Sequence, residues 1–586
     1  MFDRTTWIAI ALSIAGLVGW QWYYNKNYAP LLAAQRAAEQ ARTLQQTTTI
    51  AQTSQPTTGT TPLLPALPEA SIPQLQARRE TIDTPKAEYL FSNNVGGIES
   101  ITLFIHLGEQ FHSLLLNNLS PIPIGALQEN PATPLQGFSM LANKDAGKIS
   151  FQRKENNGLV ISKNFSLPET TGSPNEYLIG LDLTFSNSSK NSMDVPSTYL
   201  SIGGATPVHA SDLPTYTRFD TFSGGKMSSI DVNWFTASSI PLIGIQTRAA
   251  RELYEINTPD ITWIAVTSQY FCTILTTQEK GNATAWATRF EALSAAKTAN
   301  GRPVYGIQGG LRLPSFHLNP SETVTHHFTV FAGPKDFSAL QKLGAGEQHV
   351  MNFGMFHLVS EFLLWAMNTL KGILGNYAAA IIVLTLLIKT ILWPLQNKAT
   401  SSMRRMQLLS PRIAELRAKN KDNPTKMNEE LMKLYKQYGV NPFGGCLPML
   451  IQIPIFFGFY SMLGTAIELR NSHFLWINDL SQPDTITHIM SYPVNLLPII
   501  MAATMLWQMS LSPKGGDPTQ QRVMFVMPVV FLAFCYNFAS ALALYWTTQN
   551  LFSIAQLYLT RNQPLPTLEK KSLPKKIRQA KGNQRL

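Results

Sequence analysis

Lys389 is the one Asp, Glu, Lys or Arg in the apolar stretch 374–394. A charge in such a helix is costly, and it survives where it meets a partner, a wet cavity or the interface. Thr385 lies four residues earlier and shares its helical face. Towards the C-terminus, Tyr545, Thr548 and Gln549 share another face, with Trp546 beside them. Gln452 and Gln508 are polar intrusions in two further apolar runs. The chemistry open to this set is attraction rather than bond-making. Such groups lower the cost of carrying a polar segment past hydrocarbon, where an unsatisfied backbone or charged group costs several kcal/mol. For each except Lys389, the competing reading is an interhelical hydrogen bond that glues a bundle. For Lys389 it is snorkelling, because Pro394 ends the stretch five residues later and a Lys stem covers much of that distance.

The elements that must hold these residues are apolar helices. Residues 523–560 form 38 positions without a charge, and residues 441–467 form 27 more. A span needs only about 20 apolar residues. As one helix the longer run would reach about 57 Å against a core of about 30 Å, so it must fold back. Asn537, Phe538, Ala539 and Ser540 make the polar break, leaving spans near 521–537 and 541–560. With 374–394, 442–467 and one span within 486–511, five spans follow the middle of the chain. A sixth comes first, at 7–24: no small-x-small site follows it, and Trp20, Trp22, Tyr23 and Tyr24 form an aromatic belt, so it reads as an uncleaved anchor. The expected fold is a membrane α-helical bundle of six transmembrane helices, five forming a core, plus a large exported all-β sandwich.

The domain limits follow from these shifts in composition. Residues 1–28 are the anchor, and 29–80, rich in Ala, Gln, Thr and Pro, a flexible linker. Residues 81–335 alternate apolar and polar with period two, as in Leu181, Leu183 and Phe185 against Asp182, Thr184 and Ser186. Turn signals such as Asn93-Asn94-Val95-Gly96-Gly97 separate these segments, so this stretch is the β-sandwich. Residues 336–373 contain an apolar helix, around 361–371, suited to lying in the interface. Residues 374–562 are the five-helix core, and 563–586 a basic tail.

Within the core, 396–440 form a basic helical hairpin. Met406, Leu409, Ile413 and Leu416 make one stripe, and Met427, Leu431, Leu434 and Tyr438 the other. Asn423 is the expected N-cap with Pro424 at the first helical position, and Pro411 should kink or restart the first helix. Residues 396–440 carry ten Lys/Arg against four Asp/Glu, and 561–586 carry eight against one. The chain's net charge is +11, so the remainder is slightly acidic. By the positive-inside rule both segments, and both termini, are cytoplasmic. Arg404, Arg405, Arg412 and Arg417 in the hairpin, and Lys570, Lys571, Lys575 and Lys576 in the tail, are the candidate contacts to ribosomal RNA, targeting proteins or anionic lipid.

The order of motifs resembles the YidC insertase family, in its diderm-bacterial form. The resemblance rests on the run of residues 381–389 leading to Trp393-Pro394-Leu395, and on Tyr438-Gly439-Val440-Asn441-Pro442-Phe443-Gly444-Gly445-Cys446. Gln452-Ile453-Pro454, Phe474-Leu475-Trp476-Ile477, Asp517-Pro518 and Leu544-Tyr545-Trp546 continue it. It covers about residues 350–562, and more weakly the β-domain through its Asn-x-Gly-Gly turn and Phe331-Ala332-Gly333-Pro334. It implies a bacterial inner-membrane protein with a polar groove open to cytoplasm and lipid. It also implies nascent membrane proteins as clients, and the ribosome, targeting factors and the general secretory translocon as partners. The matching positive position in the family is usually arginine; here it is Lys389, which keeps charge but loses bidentate geometry.

Other classes fit less well. A coupled transporter would bury acidic groups at midplane, and the five C-terminal spans have none. The sandwich resembles sugar-processing folds, yet GxSxG, HExxH and a phosphate loop are absent. His326 and His327 point to opposite faces of a strand. Cys272, Cys446 and Cys535 form no metal-spaced set. Neither a cofactor nor a metal is expected.

Overall fold

The computed structural model describes residues 78–560, apart from 108–109, 144–146, 169–175, 210–211, 240–245, 280, 296–297, 299–302, 421–422, 441–446, 490–491 and 513–517. The expected anchor, the linker up to residue 77 and the basic tail, with Lys570, Lys571, Lys575 and Lys576, lie outside the described residues; the last two positions assigned to the linker, Arg79 and Glu80, instead begin the first strand of the β-domain, Arg79–Asp83.

The first half is all β. A nine-stranded antiparallel sheet runs, edge to edge, through Lys226–Asp231, Arg218–Ser223, Ile261–Thr267, Phe271–Thr277, Thr323–Pro334, Leu178–Asn187, Leu159–Ser166, Lys148–Lys154 and Ser139–Asn143. A six-stranded sheet built around Asn282–Leu293, Val304–Leu313 and Thr198–Ala205 faces it. Period-two alternation explains the packing. In Leu178–Asn187, Ile179, Leu181, Leu183 and Phe185 turn inward while Asp182 and Thr184 do not. Leu181 pairs with Phe328 and Phe185 with Val324, so two apolar faces of neighbouring strands coincide. The expected sandwich is present.

A four-stranded sheet, Arg79–Asp83, Ala87–Ser92, Gly97–Leu107 and Gln110–Leu116, packs at its end. Its Asn-x-Gly-Gly turn is held by Lys163. The fully buried Lys163 Nζ donates to Val95 O (2.9 Å) and Gly125 O (3.1 Å) and lies 4.0 Å from the Phe138 ring centroid. Gly96 has φ +62°, and a Cβ there would press on Phe138 and Lys163. Burial holds the Lys163 ammonium well below its ordinary pKa.

From residue 337 the chain is mainly helical. We label the helices α1 (Phe337–Leu343), α2 (His357–Leu374), α3 (Tyr377–Lys419), α4 (Pro424–Tyr438), α5 (Leu447–Thr465), α6 (Leu496–Leu511), α7 (Pro518–Cys535) and α8 (Ser540–Thr560). α2 includes the stretch 361–371 read as a helix: Leu363, Leu364 and Met367 are buried, while the apolar Leu358, Phe362, Trp365 and Ile373 are exposed. The chain turns between α7 and α8 at 536–539, overlapping the polar break expected at 537–540.

Two expectations change. The first hairpin helix is not separate: α3 runs unbroken for 43 residues through both Pro394 and Pro411. Packing offsets the lost backbone bonds there, because Leu409 is buried against Tyr438 and Val440, and the Arg412 guanidinium lies 4.8 Å from the Tyr438 ring. Asn423 does cap α4, its side chain accepting from Lys426 N at 3.0 Å, with Pro424 at the first position. The second concerns the run 486–511, which contains a helix as expected but not along its whole length. Its first part forms a β-hairpin, Thr485–Ile489 with Tyr492–Asn495, and the helix begins only at Leu496. Val494, Thr487 and Ile489 are β-branched, and Pro493 breaks helical continuation.

Among the described helices, α3 alone is long and apolar enough to cross a bilayer by length and composition; Ile451–Thr465, Leu496–Leu511 and Phe525–Cys535 are shorter apolar helices. α8 has 21 residues, but Thr547, Thr548, Gln549, Asn550, Ser553 and Gln556 dilute its apolar character.

One apolar cluster joins both halves. Phe222, Trp263, Ile274 and Phe331 of the sheet belong to the same buried cluster as Leu363 of α2, Ile381 of α3, Phe459 of α5 and Tyr545 of α8. Polar bonds cross the same boundary: Gln269 Nε2 donates to Gly464 O (2.8 Å) and Tyr270 OH to Ser481 O (3.3 Å). Lys335, where the sheet hands over to α1, is fully buried and its Nζ has no hydrogen-bond partner among the described residues. Burial, helped by the nearby Arg218 guanidinium, pulls its pKa down to about 7.

Candidate functional site

Four of the eight candidate groove residues, Lys389, Gln452, Tyr545 and Gln549, meet where α3, α5 and α8 come together. Helix α8 presents Tyr545, Gln549 and Ser553 at successive steps of four, which places them along one face. Gln452 reaches that face from α5: its Nε2 donates to Tyr545 OH at 2.9 Å and to Gln549 Oε1 at 3.0 Å. One turn further along, Ser553 Oγ donates to Gln549 O at 2.9 Å and accepts from Lys389 Nζ of α3 at 3.3 Å. The result is a line of polar atoms, Tyr545–Gln452–Gln549–Ser553–Lys389, drawn from three helices. It ends in one ammonium with no carboxylate partner among the described ion pairs.

Four of the sequence candidates stand apart from that line. Thr385 Oγ1 is spent on Ile381 O of its own helix at 2.7 Å, so it shares the Lys389 face without joining the polar line. Trp546 sits among rings, 4.8 Å between centroids from both Phe456 and Phe531. Thr548 is buried in α8 and makes no hydrogen bond with the line among the described residues. Gln508 contributes its backbone carbonyl to Ser512, and no side-chain bond ties it to the others among the described residues.

Sequence reasoning missed Ser553, Asn550 and Gln556. Asn550 Nδ2 donates to Thr504 Oγ1 (3.1 Å) and Met501 O (3.3 Å), binding α8 to α6. Gln556 Nε2 donates to Asn397 Oδ1 at 3.1 Å. The signal was available: extending the Tyr545–Gln549 face by steps of four and three reaches Ser553 and then Gln556.

Beyond the line, α3 carries the basic residues. Arg404 Nη2 donates to Thr560 O (2.8 Å), capping the end of α8, and Arg412 stacks on Tyr438. Both therefore have structural work inside the protein. His326 and His327, in the β-domain, bond to separate carboxylates, Glu279 (2.6 Å) and Asp182 (2.7 Å), and no cluster that could hold a metal occurs among the described residues.

This arrangement belongs to a chain with two family matches. Residues 128–366 match the model described as the YidC periplasmic domain, and residues 369–566 match that of the 60Kd inner membrane protein. A membrane protein insertase YidC of Syntrophobacter fumaroxidans is 31% identical over 426 residues, 72% of each chain. The chain belongs to the YidC membrane protein insertase family.

A second YidC relative, from Geotalea daltonii, is 29% identical over 87% of this chain and 92% of its own. A third, from Syntrophus aciditrophicus, is 40% identical, but that alignment spans 53% of the relative's length. The periplasmic-domain match overlies most of the sandwich. The inner-membrane match overlies α3 to α8 and so contains every residue of the polar line. Among solved structures, a YidC insertase described as active, with its first transmembrane domain resolved, aligns with 83% of this chain at 19% identity and TM-score 0.34. A galactose mutarotase related enzyme of Lactobacillus acidophilus covers 44% at 12% identity and TM-score 0.27.

Proposed function

We propose that this protein inserts nascent membrane proteins into the bacterial inner membrane, using the α3–α5–α8 line as a hydrated groove. The observation that carries the reading is Lys389. Its ammonium has a neutral hydroxyl for a partner, and so keeps most of its field for an incoming acidic segment. Gln452, Gln549, Tyr545 and Ser553 offer donors and acceptors that replace water for a polar flank, shortening the path through hydrocarbon. The flanking helices are apolar, so a new transmembrane segment can leave sideways into lipid. No bond is made or broken.

In this reading the chain spans the membrane six times, with the β-domain outside and both basic segments in the cytoplasm. Helices α5, α6 and α7 are short spans, which fits a locally thinned bilayer. The basic face of α3 and the tail, Lys570 to Lys576, serve ribosome, targeting-factor or lipid contact, and the general secretory translocon is a further partner.

The test is site-specific crosslinking. A photoreactive residue replacing Leu386 on α3 or Phe552 on α8, in cells making a short single-span protein, should capture the nascent chain. A photoreactive residue replacing Leu141 in the β-domain should not. Capture only at Leu141 would remove the groove from the mechanism.

A further inference from the structure

The hairpin Thr485–Ile489 with Tyr492–Asn495 stands immediately before α6. Ile489 and Tyr492 are directly opposed in its ladder and so share a face, with Thr487 and Val494 next along it. Ile486, Ile489 and Tyr492 are 49%, 61% and 77% exposed, and residues 485–495 include no Asp, Glu, Lys or Arg. A two-stranded hairpin is marginal in water, and an uncharged apolar one is an aggregation hazard.

Yet its base is firmly tied. Thr485 Oγ1 donates to Asn495 Oδ1 (2.6 Å), Asn495 Nδ2 to Tyr536 O (2.7 Å), and Tyr536 OH to Pro493 O (2.7 Å). Asp484, just before the hairpin, accepts from Leu497 N of α6 (2.6 Å) and from Trp476 Nε1 (3.0 Å). Trp476 is itself partly exposed beside the exposed Leu475. These bonds thus hold Trp476, Tyr536 and the base of the hairpin at one end of α6.

The helix that this hairpin leads into is short for a span. Sixteen residues make α6 about 24 Å long, against a hydrocarbon core of about 30 Å. We propose that the hairpin is a lipid-contacting element whose Ile486, Ile489 and Tyr492 seat in the outer-leaflet boundary between headgroups and acyl chains. This rests on the reading of α6 as a span. The unpaired strand edges keep the hairpin out of the hydrocarbon proper, where they would go unsatisfied. Its aliphatic and aromatic make-up suits the interface, and it carries no charge by which a protein partner would be selected. The hairpin then supplies the apolar height that α6 lacks and pins the exported end of that helix.

The experiment uses the full chain, purified and reconstituted alone in phosphatidylethanolamine–phosphatidylglycerol vesicles. Cys272→Ala, Cys446→Ala and Cys535→Ala give a background for single labels with an environment-sensitive dye. Ile489→Cys is compared with Leu506→Cys on α6 and Leu141→Cys on the outer strand of the sandwich. The label at 489 should be blue-shifted and quenched severalfold more by lipids with shallow nitroxides than by aqueous iodide. The label at 141 should show the reverse, and the label at 506 should respond to deeper nitroxides. A label at 489 that behaves like the one at 141, while 506 remains lipid-quenched, overturns the hairpin proposal alone. Iodide access at both 489 and 506 overturns the span reading as well. Iodide access at 489 that is lost only on adding a membrane-protein client assigns the patch to protein and equally refutes lipid seating.

Discussion

Ser553 Oγ accepts from the Lys389 ammonium at 3.3 Å while giving its own proton to Gln549 O at 2.9 Å. A hydroxyl placed this way orients the lysine without neutralising it, and this separates an attracting cation from a merely structural one.

Lys389→Gln should slow insertion of clients with acidic flanks by roughly tenfold, equivalent to about 1.4 kcal/mol of lost attraction, and spare uncharged clients. Lys389→Arg should work at least as well as the unaltered protein, and Lys389→Glu should be worst for acidic flanks. The measurement is insertion of paired clients, differing only in flank charge, at matched protein levels. Equal rates for both clients in the Gln and Glu variants would leave hydration alone as the groove's contribution.

Gln452 serves two acceptors on α8, so removing it should cost more than removing either one. Gln452→Leu should lower thermal stability in detergent by more than Tyr545→Phe. A double-mutant cycle between them should show coupling on the order of 0.5–1 kcal/mol, the range for interhelical bonds in membranes. Additive losses would mean that the two side chains do not depend on each other.

The six-span reading is tested by a reporter active only outside the cytoplasm. Fusions at Gln76, Gln482 and Phe538 should be active, and those at Asp422, Gly515 and Gly582 silent. Activity at Asp422 would overturn the topology, since it puts the basic hairpin on the wrong side.

Lys335 links pH to stability where the sheet meets the helices. Its pKa is pulled down to about 7 in the folded protein, so between about 7 and its ordinary 10.5 the unfolded chain binds the extra proton. Stability should therefore rise as pH increases from about 7 towards 10, and below 7 the group should contribute no slope. Lys335→Met should abolish that rise and raise the melting temperature at pH 7. Thermal unfolding of the purified protein across this pH range decides it; an unchanged slope in the variant would assign the dependence elsewhere.

Much of this architecture is local in origin, and so could be read from the chain. Alternation of the Leu181, Leu183, Phe185 kind gives strands because side chains alternate across a pleat. Charge-free runs give apolar helices, and Asn423-Pro424 starts α4 by capping geometry. The polar residues Lys389, Gln452, Tyr545 and Gln549 were conspicuous because their surroundings are apolar. The family resemblance rested on longer motifs in a fixed order, of which Gln452 and Tyr545 are part.

Other features needed the fold. Pro411 reads as a break, and only the packing of Leu409 and Arg412 against Tyr438 keeps α3 continuous past it. Thr385, Trp546, Thr548 and Gln508 have the same credentials in sequence as Gln452. Whether a polar side chain meets a partner on another helix depends on helix rotation and crossing, which periodicity does not specify. The buried cluster that unites the sandwich with α2, α3, α5 and α8 is likewise invisible to any local pattern, because it joins residues more than a hundred positions apart. Sequence alone determined the strands of the sandwich and the positions of most apolar helices, since those depend on neighbours in the chain, but not the hairpin at 485–495 or the continuity of α3. Tertiary structure alone decided that Ser553, rather than Thr385, holds Lys389, since that depends on which faces of α3 and α8 are pressed together.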